Sequence, residues 1–418
     1  MINRIWIIVT IIAVFMNAIP KAVYAGEALT LERALSLAYE NNPDMVEAGK
    51  NIDAAKGDMI TVSSLAAPEA EFEISGLKQN DGGERDPHLG GFSITQRFDP
   101  PGVLGLERKI SKRRISIREE TRRVVWSRVY TEVRDEYSHI ILDNKVQGLA
   151  NEKLNIMRQF FGRVQQQFQS GKAIKNDLQR AKLELLNAEN DLLAGEKEIR
   201  TEKAKLNLLL GRPMETPFEI EGELEEEELV LDLEKLTGYA MELNPEIKTE
   251  GLLLESKEND LGREQLNRFP ALFAGFKGTN EDYDNDYSAV AGFSVPIWDL
   301  NQGGVKKAKA EKEAQAARFE AVRREIAFSV FEAYLNAELA GRQFALHKRS
   351  LDEANELLQL ANLRYSEGEI NFLSFLDQVK AAIETRVRYY QGLYNLSKAI
   401  TELEKAVYMS VRQEGYLK

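Results

Sequence analysis

Few residues of this chain have the type and spacing that support catalysis or metal binding. The three histidines, His88, His139 and His347, are far apart in the sequence, and none of the 418 residues is cysteine. His139 and Asp143 are one helical turn apart, a spacing more typical of a surface contact than of half a metal site. We find no HExxH helix, phosphate-binding loop, nucleophile elbow or dinucleotide fingerprint. We therefore predict no enzyme activity, no cofactor and no metal site.

The composition excludes further classes of protein. The formal net charge is −12, and an acidic protein is a poor partner for nucleic acid because the phosphate backbone repels it. The absence of cysteine excludes disulfides and thiolate metal sites. It also excludes a lipid anchor on an N-terminal cysteine.

Residues 1–25 are predicted to be a signal peptide. Arg4 provides a positive charge, an apolar run extends from Ile5 to Ile19, and small residues occupy the cleavage positions of Val23-Tyr24-Ala25. A transmembrane anchor is the alternative, but the run is shorter than the ~20 residues that span a bilayer. Cleavage after Ala25 predicts an exported protein.

The exported chain contains an internal duplication. The segment Leu29-Thr-Leu-Glu-Arg33 recurs about 200 residues later as Leu231-Asp-Leu-Glu-Lys235, and Asn42-Pro43 recurs as Asn244-Pro245. These matches predict a first structural repeat over residues 26–220 and a second over residues 231–418. The acidic stretch between them, residues 221–230, is expected to be a solvated linker.

Each repeat is predicted to contain long helices and two strands. Residues 103–168 and 305–365 contain no proline, and apolar residues in the helices that follow alternate in steps of three and four, as in antiparallel coiled coils. Alternating apolar residues predict strands at about 68–77 and 89–98 in the first repeat. In the second repeat they predict strands at about 270–278 and 287–296. The fold class is therefore mainly α with a small β part.

The strand pattern fits two environments. Alternating strands of about nine residues that are joined by polar loops are typical of an outer-membrane barrel, whereas a soluble hairpin packed on the helices is the alternative. Four strands cannot close a barrel, and an open sheet edge is not stable in lipid. A membrane location would therefore require oligomerisation, and three chains would supply twelve strands.

Together these features resemble the TolC family of outer-membrane efflux channels over essentially the whole mature chain. The resemblance is carried by the Leu-x-Leu-Glu and Ala-x-x-x-Asn-Pro segments that open each repeat, by the strand pairs, and by a Phe/Tyr-x-x-Gly turn in each repeat. It implies a homotrimer in the outer membrane of a Gram-negative bacterium, with four transmembrane β-strands per chain. The trimer would form a 12-strand barrel in outer-membrane lipid and a 12-helix tunnel extending into the periplasm. The implied partners are a periplasmic adaptor (membrane fusion) protein and a proton-driven inner-membrane pump of the resistance-nodulation-division type.

The resemblance also assigns residues to the periplasmic tip of the tunnel. The tip turns, where the adaptor docks, correspond to Gly171 and Gly368. Asp177 stands where the family has an acid that latches neighbouring helices, and Tyr365 stands where its partner tyrosine does. Ile370 replaces an arginine of the family's well-studied member, so the ionic part of the latch is missing here.

The constriction of the tunnel departs from the family pattern as well. Two acids three residues apart ring the aperture in the same member. Asp377 corresponds to the second acid, while Ser374 replaces the first. A trimer would then carry three aperture carboxylates, unless Glu367 or Glu369 contributes. A ring of carboxylates favours cations in a pore.

The predicted function is the outer-membrane exit duct of a tripartite efflux system, with passive transport of small solutes or metal cations. The short length and the lack of a lipid-anchor motif are similar to the heavy-metal, cobalt–zinc–cadmium type branch of the family. A duct for type I protein secretion on the same fold is one alternative. A soluble periplasmic coiled-coil scaffold is the other.

Overall fold

A computed structural model describes residues 28–75, 88–226, 232–281, 284–294 and 299–410. The predicted signal peptide, residues 1–25, lies outside this range. The described chain is mostly helical with a small sheet. None of its helices combines the length and the apolar content needed to cross a membrane.

The first half contains eight of the described elements. In chain order they are β1 (Ala28–Leu29), α1 (Leu31–Asn41), α2 (Pro43–Ser63), β2 (Glu69–Ser75), β3 (His88–Phe98), α3 (Val103–Gln169), α4 (Lys175–Leu209) and β4 (Glu219–Ile220). The 67 residues of α3 correspond to a length of about 100 Å at 1.5 Å per residue. Helix α4 packs back along α3, and the short strands β1 and β4 pair in parallel.

The second half follows the same order of helices and long strands. Its elements are α5 (Leu233–Leu243), α6 (Pro245–Leu266), β5 (Ala271–Glu281), β6 (Asp284–Ser294), α7 (Gln302–Ser366) and α8 (Phe372–Val407). The β5–β6 hairpin is longer than the sequence predicts. Backbone pairing continues through Thr279–Asp286 and Asn280–Asn285, which were expected to form a polar loop. The last residues of two predicted strands, 76–77 and 295–296, lie outside the described range.

The same asparagine joint connects the first two helices of each half. Asn42 ends α1 and caps α2, because its side-chain oxygen accepts the Asp44 amide at 2.9 Å. Asn244 does the same between α5 and α6 and accepts the Glu246 amide at 2.8 Å. A proline follows each asparagine and starts the next helix, where no intrahelical amide donor is needed. Asn42 also donates to the Leu209 carbonyl at 2.9 Å, which ties the joint to the end of α4.

Four regions of the described helical body have apolar cores. One joins α1, α3 and α4 around Val129, Ile140 and Leu206, and a second joins α5, α7 and α8 around Val330 and Leu403. The third lies towards the ends of α3 and α7 and contains residues of both halves. The fourth joins α7 and α8 between the second and the third. The two helical hairpins therefore pack against each other along their length, with α3 beside α8.

The acidic segment between the halves is tied to the helices where it is described. The Glu223 carboxylate lies 2.7 Å from Lys145 Nζ on α3. Glu226 pairs with Lys348 on α7 and accepts the Tyr389 hydroxyl of α8 at 2.9 Å. Residues 221–226 thus contact three helices while most of them remain exposed to solvent, and residues 227–230 lie outside the described range.

Candidate functional site

The four long strands form one antiparallel sheet in the order β2-β3-β5-β6. The register places Ala70, Ile94, Phe276 and Ala289 in one row across the sheet. Side chains alternate between the two faces of a strand. These four residues, and the residues two and four positions away from them along each strand, therefore lie on the same face of the sheet. The apolar members of that face are Ala70, Phe72, Phe92, Ile94, Phe98, Leu272, Ala274, Phe276, Tyr287, Ala289, Ala291 and Phe293.

This apolar face of the sheet is exposed in the single chain. The exposed fraction is 69% for Phe72, 65% for Phe293 and 48% for Ile94. Aromatic rings contact one another across it, with Phe276 stacked on Tyr287 at a centroid distance of 5.9 Å. An exposed apolar surface of this extent is typical of a region that contacts lipid or another protein.

The opposite face of the sheet is largely polar. Its polar members are Glu69, Glu71, Glu73, Ser93, Thr95, Arg97, Lys277, Thr279, Asp286 and Ser288, while Ala271, Phe273 and Val290 are apolar exceptions. In the described chain, β2 and β6 each pair with only one long strand. The sheet therefore has one apolar face, one polar face and two open edges.

The distal ends of the two helical hairpins close with similar glycine turns. Gly171 has φ 73° and Gly368 has φ 78°, in the left-handed region that favours glycine. The Gly171 amide donates to Phe168 O at 3.0 Å, and the Gly368 amide donates to Tyr365 O at 3.2 Å. Both glycines, which the resemblance assigns to the tip turns, are exposed.

Tyr365 packs inside its own chain. Its ring stacks on Phe375 at a centroid distance of 4.6 Å and lies 5.8 Å from the ring of Phe160. Burial raises the pKa of the Tyr365 hydroxyl. Among the described residues no hydrogen bond joins Tyr365 to Asp177. The structure of one chain thus does not bring the two predicted latch residues together.

The acids assigned to the latch and to the aperture lie at the tips, where Asp177 is half-buried and Asp377 is exposed. Asp177 lies in the first turn of α4 and Asp377 near the start of α8. Neither carboxylate forms a hydrogen bond or an ion pair within the described chain. Glu367 directly follows the last residue of α7, and the Glu369 carboxylate lies 3.9 Å from the Arg364 guanidinium.

Ser374 has a structural role in the first turn of α8. Its amide donates to the Asn371 side chain at 3.0 Å, which caps the helix, and its hydroxyl accepts Gln378 Nε2 at 3.2 Å. An ion pair between Lys380 and Glu184 at 2.8 Å, which the sequence does not predict, links α8 to α4 across the two halves. No spacing along one helix indicates such a pair.

A polar cluster lies between α3 and α4, well away from the tips. His139 Nε2 is 3.9 Å from Asp143 Oδ1, and His139 Nδ1 is 3.8 Å from Glu202 Oε2. Glu136 lies beside them, and burial together with the neighbouring Glu202 raises the pKa of Glu136. The spacing of His139 and Asp143 predicts only a surface pair. The partner that it missed, Glu202, is distant in the sequence and almost completely buried.

Comparisons with known proteins agree with the architecture. Residues 34–212 and 240–407 match the family described as outer membrane efflux protein. The cobalt-zinc-cadmium resistance protein CzcC of Cupriavidus metallidurans is 23% identical over 395 residues, which cover 91% of this chain and 90% of CzcC. The cation efflux system protein CusC of Escherichia coli K12 is 21% identical over 396 residues, 90% of this chain and 85% of CusC.

Solved structures show the same fold. The Campylobacter jejuni CmeC outer membrane channel has a TM-score of 0.77 at 16% identity, over 90% of this chain and 85% of CmeC. A crystal structure of CusC has a TM-score of 0.76 at 18% identity, over 92% of this chain and 95% of that chain. The arrangement of long helical hairpins and a four-stranded sheet is therefore shared with outer-membrane channels.

Proposed function

Because the chain belongs to the outer membrane efflux protein family, we propose that three copies assemble into one passive exit duct for divalent metal cations. The chain acts as an outer-membrane channel for efflux, and the alternative of a soluble periplasmic scaffold is set aside. The trimer, the closed barrel, the gate and the cargo are the finer parts of the proposal. Each is supported by a different part of the molecule.

The observation that carries the proposal is the two-faced sheet with open edges. Unpaired strand edges are costly in lipid, where no water replaces the missing hydrogen bonds. Three sheets joined edge to edge, β6 of one copy beside β2 of the next, would satisfy these edges with twelve strands. The apolar face would then contact lipid and the polar face would line the lumen, as in transmembrane barrels. The 11 residues of β3, β5 and β6 are long enough to span the hydrocarbon core.

The helices supply the periplasmic part of the duct. Helices α3 and α7, of 67 and 65 residues, each extend about 100 Å, and two hairpins per chain give twelve helices in a trimer. The exposed tips at Gly171 and Gly368 are the surfaces that we assign to docking of a periplasmic adaptor. An inner-membrane pump, proton-driven in this proposal, would supply the energy for transport.

The gate is assigned to the tips, where Asp177 and Asp377 carry unpaired carboxylates. Tyr365 is held by Phe375 and Phe160 in its own chain, so its role is to shape the tip rather than to bind Asp177 directly. The Asp177 carboxylate is left available to a neighbouring copy. Three Asp377 carboxylates around the axis would favour cations over anions, with Glu367 and Glu369 adding negative charge nearby.

The cargo is proposed from the named relatives. CzcC is a cobalt-zinc-cadmium resistance protein and CusC belongs to a cation efflux system. A duct that conducts metal cations needs negative potential and weak binding rather than tight coordination. The absence of cysteine and the acidic polar face of the sheet, with Glu69, Glu71 and Glu73 on β2, agree with that requirement.

The test combines fractionation, conductance and metal tolerance. The protein should be recovered from outer membranes as detergent-stable trimers, and recovery from the soluble periplasm without trimers would refute the duct. In planar bilayers, Asp177→Ala should raise conductance through a weakened gate, whereas Asp352→Ala, at an exposed position of α7 away from the tip, should not. Equal conductance of the two variants would remove Asp177 from the gate.

Cargo is tested separately in cells that lack this chain. Growth in Zn²⁺, Co²⁺ or Cd²⁺ should be impaired and should be restored by the wild-type chain. Unchanged tolerance to all three metals would refute the cargo while leaving the duct in place. Loss of an exported protein instead would favour the type I secretion duct.

A further inference from the structure

The polar cluster between α3 and α4 is built from one face of each helix. Glu136, His139 and Asp143 are spaced by three and four residues on α3 and therefore lie on one side of it. Glu202 of α4 faces them, and its carboxylate oxygen Oε1 accepts Lys205 Nζ at 2.7 Å. The cluster is in the helical body, outside the tips and the sheet.

The Glu202 side chain is only 1% exposed, and its second oxygen accepts no amide, hydroxyl, lysine or arginine donor. The Glu136 carboxyl lies beside Glu202 and can hydrogen bond to it only when one of the two carboxyls carries a proton. Oε2 points towards His139 Nδ1 at 3.8 Å, too far for a hydrogen bond. Glu136 Oε2 and Asp143 Oδ2 are also buried without a hydrogen-bond donor. Buried carboxylate oxygens without a partner are costly. A positive group, either a proton or a cation, is therefore needed among them.

The neighbouring basic side chains do not supply this group. Lys205 is engaged with Glu202 Oε1, and Lys398 is held by Asp135 at 2.7 Å. Arg134 pairs with Glu404 at 3.5 Å. Within the described chain, no lysine or arginine nitrogen comes within 4.0 Å of the Glu136 or Asp143 carboxylate.

We propose that Glu136, His139 and Glu202 bind one divalent cation of the Zn²⁺ class in each chain. One ligand atom from each residue lies within 4.8 Å of the others. A contraction of the cluster brings these atoms to the separation of about 3.3 Å expected for bonds of about 2.0 Å in a tetrahedral zinc site. A water molecule would complete four coordination. The imidazole favours Zn²⁺, Co²⁺ or Ni²⁺ over Mg²⁺ and Ca²⁺, which prefer oxygen ligands alone.

Neighbouring groups position the imidazole for this role. Nδ1 faces Glu202, so it is the nitrogen that would bind the metal. Nε2 faces Asp143 Oδ1 at 3.9 Å, and a small shift would let it donate to that carboxylate, as metal-bound histidines usually do. The ring also stacks on Tyr394 of α8, with centroids 5.2 Å apart and planes at 26°. The bound ion would cross-link α3 to α4 and is independent of the cargo that the duct conducts.

The test is binding of Zn²⁺ alone to the purified full-length oligomer in detergent after removal of metals by a chelator. Calorimetry and metal analysis should give one saturable Zn²⁺ per chain. Binding should be lost in Glu202→Gln and in His139→Gln and retained in His347→Gln, which changes another half-buried histidine. Asp143→Asn should weaken binding by about 10- to 100-fold without abolishing it.

Two results would overturn the site. The wild-type protein could show no saturable Zn²⁺ binding, which would mean that the carboxylates share a proton instead. Alternatively, Glu202→Gln and His139→Gln could bind Zn²⁺ as tightly as His347→Gln does, which would place the metal elsewhere. If Glu202→Gln does not assemble, the comparison of His139→Gln with His347→Gln decides the question. Visible absorption of bound Co²⁺ reports the geometry of the same site independently of transport.

Discussion

Substitution of Ile94 by arginine tests which face of the sheet contacts lipid. Ile94 is near the middle of β3, and the register places Ala70 on one side of it and Phe276 on the other. Ser93, the preceding residue, lies on the opposite face between Glu71 and Lys277. The two positions therefore share strand, depth and backbone pairing, and they differ in the face that they occupy.

The expected costs follow from these two environments. An arginine on the lipid face near the middle of the bilayer costs about 2–4 kcal/mol per chain, which gives about 6–12 kcal/mol for three copies. An arginine on a hydrated polar face costs about 0.5 kcal/mol or less. At position 93 the attraction of the adjacent Glu71 carboxylate offsets the repulsion of the adjacent Lys277. Ile94→Arg should therefore prevent most of the protein from assembling in the membrane, while Ser93→Arg should assemble normally.

The assay is the amount of heat-resistant oligomer in purified outer membranes, measured on semi-denaturing gels beside the total expressed chain. In vitro, the urea dependence of folding into lipid vesicles gives the free-energy difference. Normal assembly of both variants would contradict a lipid-facing sheet. Normal assembly of Ile94→Arg together with failure of Ser93→Arg would mean that the faces are assigned the wrong way round.

Three further predictions concern contacts inside one chain. Asn42→Ala should lower the thermal unfolding midpoint more than Asn244→Ala. Each variant loses a helix cap of about 1 kcal/mol, but only Asn42→Ala also leaves the Leu209 carbonyl without its donor, which costs about 1–3 kcal/mol. Equal shifts of the midpoint would contradict this prediction. Gly211→Ala should destabilise the folded protein by at least about 2 kcal/mol, because φ is 67° and a Cβ would overlap the Asn41 carbonyl. In the same melting experiment the control Gly148→Ala, at a helical position with open space around it, should be neutral or stabilising. Tyr137→Phe should speed amide exchange in β1 and β4, because it removes the hydroxyl hydrogen that is shared between the Leu29 and Glu221 carbonyls. Unchanged exchange would show that the parallel strand pair holds without this contact.

The elements of the fold were accessible from local sequence signals. The long proline-free segments predicted the regions of α3 and α7, and alternation predicted which residues share a face of β3. The joint at Asn42-Pro43 could be recognised because a proline and a capping side chain act within a few residues. What local signals do not show is the second contact of Asn42. Leu209 needs a donor because α4 ends at this residue, and the last carbonyls of a helix have no intrahelical partner. Only the tertiary structure identifies Asn42 as that donor.

The functional residues were harder to predict for a related physical reason. Spacing places His139 and Asp143 on one face of α3, but the rotation of α4 about its own axis decides that Glu202 faces them. Likewise, the stacking of Tyr365 on Phe375 depends on how α7 and α8 turn relative to each other. Periodicity gives the phase of residues within one helix and no information on the phase between two helices.

The second half of the chain indicates that the buried polar cluster is not required for the fold. We aligned α3 with α7 and α4 with α8 at their C-terminal ends. In this alignment the carboxylate residues of the cluster in the first hairpin correspond to apolar residues in the second hairpin. The pairs are Glu136 with Ala333, Asp143 with Ala340, and Glu202 with Ile400. Ile400 is fully buried and Ala340 is 8% exposed. The second hairpin therefore packs apolar residues at the positions where the first hairpin has the buried carboxylates.

This comparison leads to a variant that separates binding from folding. Glu136→Ala, Asp143→Ala and Glu202→Ile together give the first hairpin the residues of the second at this level. Replacing buried charges by packed apolar groups is often neutral or stabilising, so the triple variant should form the oligomer with an unchanged or higher thermal midpoint in metal-free buffer. It should also lose both Zn²⁺ binding and the stabilisation that added Zn²⁺ gives the wild type, because a ligand bound only to the folded state raises its stability. Failure of the variant to assemble, with Zn²⁺ having no effect on the wild-type midpoint, would show that the carboxylates serve the fold and not a metal.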